Sequence, residues 1–119
     1  VKGILVRREK YSSARAALLS KDIEFFEESN GYYTLFLFPV AGTEVDVGGK
    51  PCYLIDGDTS EVEFEGKTFK IEGKREVIDE FAPKFERRNL KVDLEKPDVI
   101  LEIRRWNGRY LVSVSSVFH

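Results

Sequence analysis

The chain has 119 residues, of which 42% are hydrophobic and 13% aromatic, and a formal net charge of −2. That length suits one domain or two very small ones, and that apolar content excludes disorder along the whole chain. No apolar run approaches the roughly 20 residues that span a bilayer, and the acidic balance speaks against a strongly basic nucleic-acid binder.

"KGILVRR", Lys2 to Arg8, is a short apolar strand. The first residues run from apolar "GILV" into charged "RREK", which is not a secretory leader, so the cytoplasm is the expected location. In "KYSSARAALLSKD", Ser12 or Ser13 is expected to cap a helix whose apolar face is Ala14, Ala17 and Leu18, closed by Asp22. "IEFFEESNGYYTLFLFPV" predicts a hairpin. Its Asn30-Gly31 pair is a preferred type I′ turn, in which both central residues need positive φ. The second strand of that hairpin is apolar on both faces, which predicts a central place in a sheet. Its aromatic residues Tyr32, Tyr33, Phe36 and Phe38 read as core packing or a dimer seam, with a base-stacking sheet as the alternative.

Residues 41–50 are a Gly-bearing connection and the best boundary between two small lobes, 1–45 and 46–119, which could equally form a single compact domain. "PCYLIDGDTSEVEFEGKTFKIEGK" reads as strand, Asp-Gly turn, strand, Gly-Lys turn, strand, with Val62 and Phe64 alternating with Glu61, Glu63 and Glu65. Cys52 is the only cysteine. It cannot form an internal disulfide, and its strand-like flanks predict a buried, inert thiol. "REVIDEFAPKFERRN" has helical apolar spacing at Val77, Ile78, Phe81 and Phe85, with Pro83 inside it. A bent or split helix is expected there. "PDVILEIRRWNGRYLVSVSS" closes the chain as a second hairpin, with Asn107-Gly108 repeating the I′ signal. The sum is an α+β fold, mainly antiparallel hairpins with two helices.

Residues that carry chemistry are scarce. The only histidine is His119, the last residue, a poor base for a catalytic dyad or a zinc site. "DGD", Asp56 to Asp58, lacks the rest of a calcium loop and reads as a solvated turn. Glu27 and Glu28 are strand neighbours and point to opposite faces, so they do not make an acid/base pair. "VGGK" at 47–50 is too poor in glycine for a phosphate loop. No catalytic residue, metal or cofactor is expected. The chain reads as a binding module, or as a piece of an enzyme whose catalytic domain lies elsewhere.

Charge is unevenly placed. Residues 1–66 hold 7 Lys/Arg and 12 Asp/Glu, and residues 67–119 hold 12 and 9. A polyanion contact is therefore expected in the second half.

"LKVDLEKPDVILEIRRWNGRYLVSV" resembles the C-terminal signature of the THUMP domain. The matching parts are Val92-Asp93-Leu94, the Lys96-Pro97-Asp98 step, the strand Val99–Arg105, the Asn107-Gly108 turn and the last strand, Arg109–Val114. Upstream, "GKTFKIEGKR", Gly66 to Arg75, looks like an earlier strand of the family with its basic exit. The resemblance covers about residues 62–117, and it sets the N-terminal part beside the small ferredoxin-like domain that often precedes THUMP. Two departures stand out: Pro83 in the intervening helix, and strands where the family has its N-terminal helices.

The resemblance implies a non-catalytic RNA-binding domain acting in tRNA modification. Its implied partners are tRNA and a catalytic tRNA-modifying subunit or domain. The residues expected to meet RNA are Lys67, Lys70, Lys74, Arg75, Lys84, Arg87, Arg88 and Lys91, with Arg104, Arg105, Arg109 and Trp106 adding to them. Lys and Arg neutralise phosphates, and Trp106 could stack on an unpaired base or serve as a cross-strand partner. The competing reading is a protein-interaction or oligomerisation module, a homodimer included, that pairs through exposed strand edges. No membrane partner is expected.

Overall fold

A computed structural model describes residues 1–117; His119 lies outside them. The fold is α+β, with two α-helices and eight strands, mostly antiparallel. It divides into two compact units, Val1–Cys52 and Tyr53–His119.

Unit 1 contains strand β1 (Lys2–Arg7), a 3-10 turn (Arg8–Lys10), helix α1 (Tyr11–Ser20), β2 (Phe26–Ser29) and β3 (Tyr33–Leu37). The strand order is β2-β3-β1, all antiparallel. β3 is central, as its two-faced apolar pattern predicts: Leu35 and Phe36 are fully buried. α1 lays Ala14 and Leu18 on Ile4, Val6 and Phe36. Tyr11 stacks on Phe36 at 5.8 Å. Gly49 lies against β1, where a Cβ would collide with the Ile4 side chain and stand 2.8 Å from the Leu5 carbonyl oxygen.

Two local expectations fail in unit 1. α1 starts at Tyr11 without a side-chain cap, and Ser13 Oγ instead donates back to the Lys10 carbonyl at 3.1 Å. The preceding 3-10 turn already supplies backbone partners, so a serine cap is not needed. The β2–β3 turn is not type I′. Only Gly31, at φ 94°, has positive φ there. It takes the first central position of a II′-like turn, while Asn30 Oδ1 accepts the backbone N–H groups of Tyr32 and Tyr33 at 3.1 and 2.9 Å. Asp22 does close α1: its φ is 56°, and the Ile23 N–H bonds the Leu18 carbonyl at 3.2 Å.

In unit 2 the strand order is β4-β8-β7-β5-β6. The strands are β4 (Lys50–Ile55, beginning in unit 1), β5 (Thr68–Glu72), β6 (Lys91–Val92), β7 (Val99–Trp106) and β8 (Arg109–Ser116). β7 and β8 form the C-terminal hairpin, and Asn107 (φ 45°) with Gly108 (φ 82°) makes the expected I′ turn. β5 runs parallel to β7 and to β6. A sheet of hairpins alone therefore does not describe this unit, because helix α2 (Arg75–Glu86) is a β5–α2–β7 crossover. α2 buries Val77, Phe81 and Phe85 against Phe69, Ile71, Val99, Leu101 and Ile103. Each fully buried Phe contributes about 2–3 kcal/mol relative to exposure. The helix runs unbroken through Pro83, whose carbonyl accepts the Arg87 N–H at 3.1 Å.

The strand expected around Val62 is absent. Residues 56–67 form a loop. β5 already has a partner on each side, so an extra strand has no edge there to join. Val62 is instead a single anchor, fully buried in the α2 core.

Candidate nucleic-acid interface

The twelve residues singled out by sequence do not form one patch. The strand register divides them. Phe69, Ile71, Val99, Leu101 and Ile103 face α2, so Lys70 and Arg104 point to the opposite face of the sheet. Lys91 pairs with Thr68 and falls on that opposite face too. Arg105, paired with Tyr110, lies on the α2 face, and Trp106 pairs with Arg109. Lys74, Arg75, Lys84, Arg87 and Arg88 lie on or beside α2.

Several of these groups are held by the protein itself. Arg88 donates to the Thr59 and Val62 carbonyls at 2.6 and 2.8 Å, with its guanidinium over the Phe64 and Phe85 rings. Lys84 Nζ donates to the Gly57 carbonyl at 2.8 Å and lies over the Phe81 ring. Arg104 pairs with Glu102 at 2.7 Å, and Arg75 pairs more loosely with Asp79, 3.7 Å away. Trp106 is only 3% exposed, so its ring offers no open face to a base.

The loop under Lys84 and Arg88 explains the charge asymmetry. Residues 1–52 hold 7 Lys/Arg and 7 Asp/Glu, so unit 1 is balanced. The acidic excess sits in one loop: Asp56, Asp58, Glu61, Glu63 and Glu65, with no Lys or Arg between them. The Ser60 backbone N–H and hydroxyl, and then the Lys84 charge, hold the Asp58 carboxyl below the usual carboxylate range. Across the helix, a hydrogen bond to Glu80 pushes the Tyr110 hydroxyl up.

A different group is brought together at the β5–β6 edge. The Lys91 N–H bonds the Lys67 carbonyl at 2.9 Å, which places these two residues side by side. Lys70 follows along β5 on the Lys91 face. Asn89, at φ 66°, turns the chain from α2 into β6, and Arg87 precedes that turn as the C-cap of α2. Lys96, absent from the sequence-based set, is exposed in the next turn. Lys67, Lys70, Arg87, Lys91 and Lys96 have no ion pair among the described residues.

Two acids of this corner serve the backbone. Asp98 Oδ2 accepts the Lys67 and Thr68 N–H groups at 2.8 and 3.2 Å, and its own N–H donates to Thr68 Oγ1 at 2.9 Å. Gly66, at φ 137°, permits this approach, since a Cβ would stand 2.7 Å from Asp98 Cβ. Asp93 Oδ1 accepts the Glu95 and Lys96 N–H groups, both at 3.0 Å. The Pro97-Asp98 step is thus an architectural clamp, and the lysines around it are left without an ion pair among the described residues.

Among the described residues, no cluster of three or more His, Cys, Asp or Glu is placed to hold a metal, and no helix is long and apolar enough to cross a membrane. Cys52 is buried.

No protein-family model matches the chain, and no curated protein matches it. Among solved structures it is similar to a 4-thiouridine synthetase in complex with RNA and bound ATP. The TM-score is 0.64 at 16% identity, over 98% of this chain and 42% of that one. It is also similar to PH1313 from Pyrococcus horikoshii Ot3, with a TM-score of 0.66 at 13% identity, over 98% of this chain and 55% of that one. At these identities the likeness is one of fold, and the chain spans about half the length of either protein.

Proposed function

We propose that this chain is a non-catalytic RNA-binding module of the THUMP type, acting on tRNA beside a catalytic tRNA-modifying subunit or domain in the cytoplasm. In this reading unit 1 stands for the small ferredoxin-like part and unit 2 for the THUMP-like part. The observation that carries it is the β5–β6 corner, where Lys67, Lys70 and Lys91 lie along one edge with Lys96 in the next turn and Arg87 at the end of α2, none of them in an ion pair among the described residues. A likeness of fold to a synthetase solved with RNA supports it. Unpaired surface cations are suited to phosphates, because binding releases counterions from the nucleic acid. Arg88, Lys84 and Trp106 contribute little in this reading, since the first two hold a loop and the third is buried.

The test is tRNA binding by the chain at about 50 and 200 mM salt, with Lys67→Glu/Lys91→Glu as the variant. Both positions are exposed, so the variant should fold. Salt-sensitive binding that the variant abolishes is the expected result. Absence of binding at low salt would sink the proposal.

A second reading, self-association or protein binding, rests on the β2–β3 hairpin of unit 1, where Phe26 is 60% and Tyr32 78% exposed. β3, paired on both sides and buried, offers no exposed edge to such a partner. A mass that rises with concentration, insensitive to salt, would favour this alternative.

A further inference from the structure

Unit 1 contains a solvent-open hollow of about 490 Å³, lined by Arg8, Tyr11, Ser29, Gly31, Tyr33 and Thr34. Small-ligand sites span roughly 300–1,000 Å³. The hollow lies at the end of the sheet, where the 3-10 turn meets the β2–β3 hairpin. Arg8 is exposed, and among the described residues its side chain has no ion pair or hydrogen bond. Ser29 Oγ and Thr34 Oγ1 are hydrogen-bonded to each other across β2 and β3 at 3.2 Å, with Thr34 buried and Ser29 the outer member of the pair. The nearby carboxylate is already balanced: Glu27 takes the Tyr11 phenol and lies 3.5 Å from Arg15.

The rim is held in place. Asn30 Oδ1 bonds the backbone N–H groups of Tyr32 and Tyr33, and the Arg8 N–H bonds the Tyr32 carbonyl at 3.0 Å. The backbone of a highly exposed aromatic residue, Tyr32, is thereby fixed beside that of Arg8, at the rim of the hollow and outside its lining. A guanidinium fork and the one hydroxyl proton that the Ser29–Thr34 bond leaves free fit phosphate oxygens, and an exposed ring fits the face of a planar base.

We propose that this hollow binds a nucleoside phosphate, with the phosphate on Arg8 and the Ser29–Thr34 hydroxyl pair and the base against Tyr32. The source of that nucleotide, an unpaired position of a bound RNA strand, rests on the proposed function. The pocket chemistry does not.

The test is a set of amide NMR titrations of the whole chain at low salt. The probes are inorganic phosphate, uridine 5′-monophosphate and a short unstructured oligoribonucleotide. The monophosphate should shift the amides of Arg8, Tyr11 and residues 29–34, and so should the oligonucleotide. Arg8→Ala should weaken the monophosphate about tenfold, the scale of one charge-assisted contact. Tyr32→Ala should weaken the monophosphate but not inorganic phosphate. Both positions are exposed, so the fold should tolerate each change. Equal binding of phosphate and monophosphate would overturn the assignment of the base. Oligonucleotide shifts confined to residues 67–96 would overturn the hollow while leaving the RNA reading intact. A monophosphate response without any oligonucleotide response would support the pocket and overturn its RNA source. No shift from any probe would overturn both.

Discussion

Arg88 and Thr59, far apart in sequence, are joined by a guanidinium-to-carbonyl hydrogen bond of 2.6 Å. The same guanidinium reaches Val62 at 2.8 Å and covers two phenylalanine rings. One side chain at the end of α2 thus ties down a loop that carries five carboxylates. Arg88→Ala should cost about 2 kcal/mol, from two charged hydrogen bonds and a partly exposed cation–π contact. Arg88→Lys should recover little, because an ammonium lacks the fork that spans both carbonyls. Urea denaturation midpoints check this, and a loss under about 0.5 kcal/mol would show the clasp to be incidental.

This clasp also shows what was legible in the sequence. "ERRN" at the end of an apolar helical pattern reads as a phosphate-binding pair. No local pattern says that Arg88 instead turns onto carbonyls reached only through tertiary folding. The α2 core was legible, because Val77, Phe81 and Phe85 recur at helical spacing and are all buried. The Asn107-Gly108 turn was legible for the same local reason. The parallel β5–β7 pairing was not, since it depends on a crossover and not on the strands' own alternation. Glu61, Val62, Glu63 and Phe64 alternate like a strand, but pairing partners decide strands, and β5 had none to give. The cation corner was half legible: Lys67, Lys70 and Lys91 lie in a basic stretch of strand and helix exit, while Lys96 stands in a turn whose local pattern, Lys-Pro-Asp, signals only a change of chain direction.

Asp98 gives a second stability test. Its carboxylate accepts two backbone N–H groups at the start of β5. Asp98→Ala orphans both and should destabilise by about 2 kcal/mol, while Asp98→Asn keeps one acceptor and should cost about half as much. Thermal unfolding of the three proteins decides it. If the Asn variant unfolds as early as the Ala variant, the charge matters more than the acceptor geometry.

The salt dependence of RNA binding should reveal which cations touch phosphate. Lys67→Gln, Lys70→Gln and Lys91→Gln should each lower the slope of log K against log salt by about one unit. Lys84→Gln should leave the slope unchanged, because its ammonium is held on the Gly57 carbonyl. A full unit lost on Lys84→Gln would mean that the loop opens and yields its lysine to the nucleic acid.

Asp58 predicts a pH effect of defined sign. Its folded value lies below the ordinary carboxylate value, through Ser60 first and Lys84 after it. The stabilisation it brings is therefore complete above that ordinary value and fades as pH falls through the lowered one. Asp58→Asn should be less stable than the parent at neutral pH, and the two should converge in acid. Melts across an acid series check this, and a gap that widens on acidification would contradict it.

Trp106 offers the last test, because it is the only tryptophan. At 3% exposure its emission should be blue-shifted and poorly quenched by acrylamide. RNA that docks on the lysine corner should leave this emission unchanged, since a base cannot reach the ring without displacing the residues that cover it. Stacking on Trp106 would quench it strongly as tRNA is added, in step with binding measured independently. Such a parallel would return Trp106 to the interface and require the end of the β7–β8 hairpin to open on binding. A constant signal through saturation would leave phosphate contact, not base stacking, as the basis of recognition by unit 2.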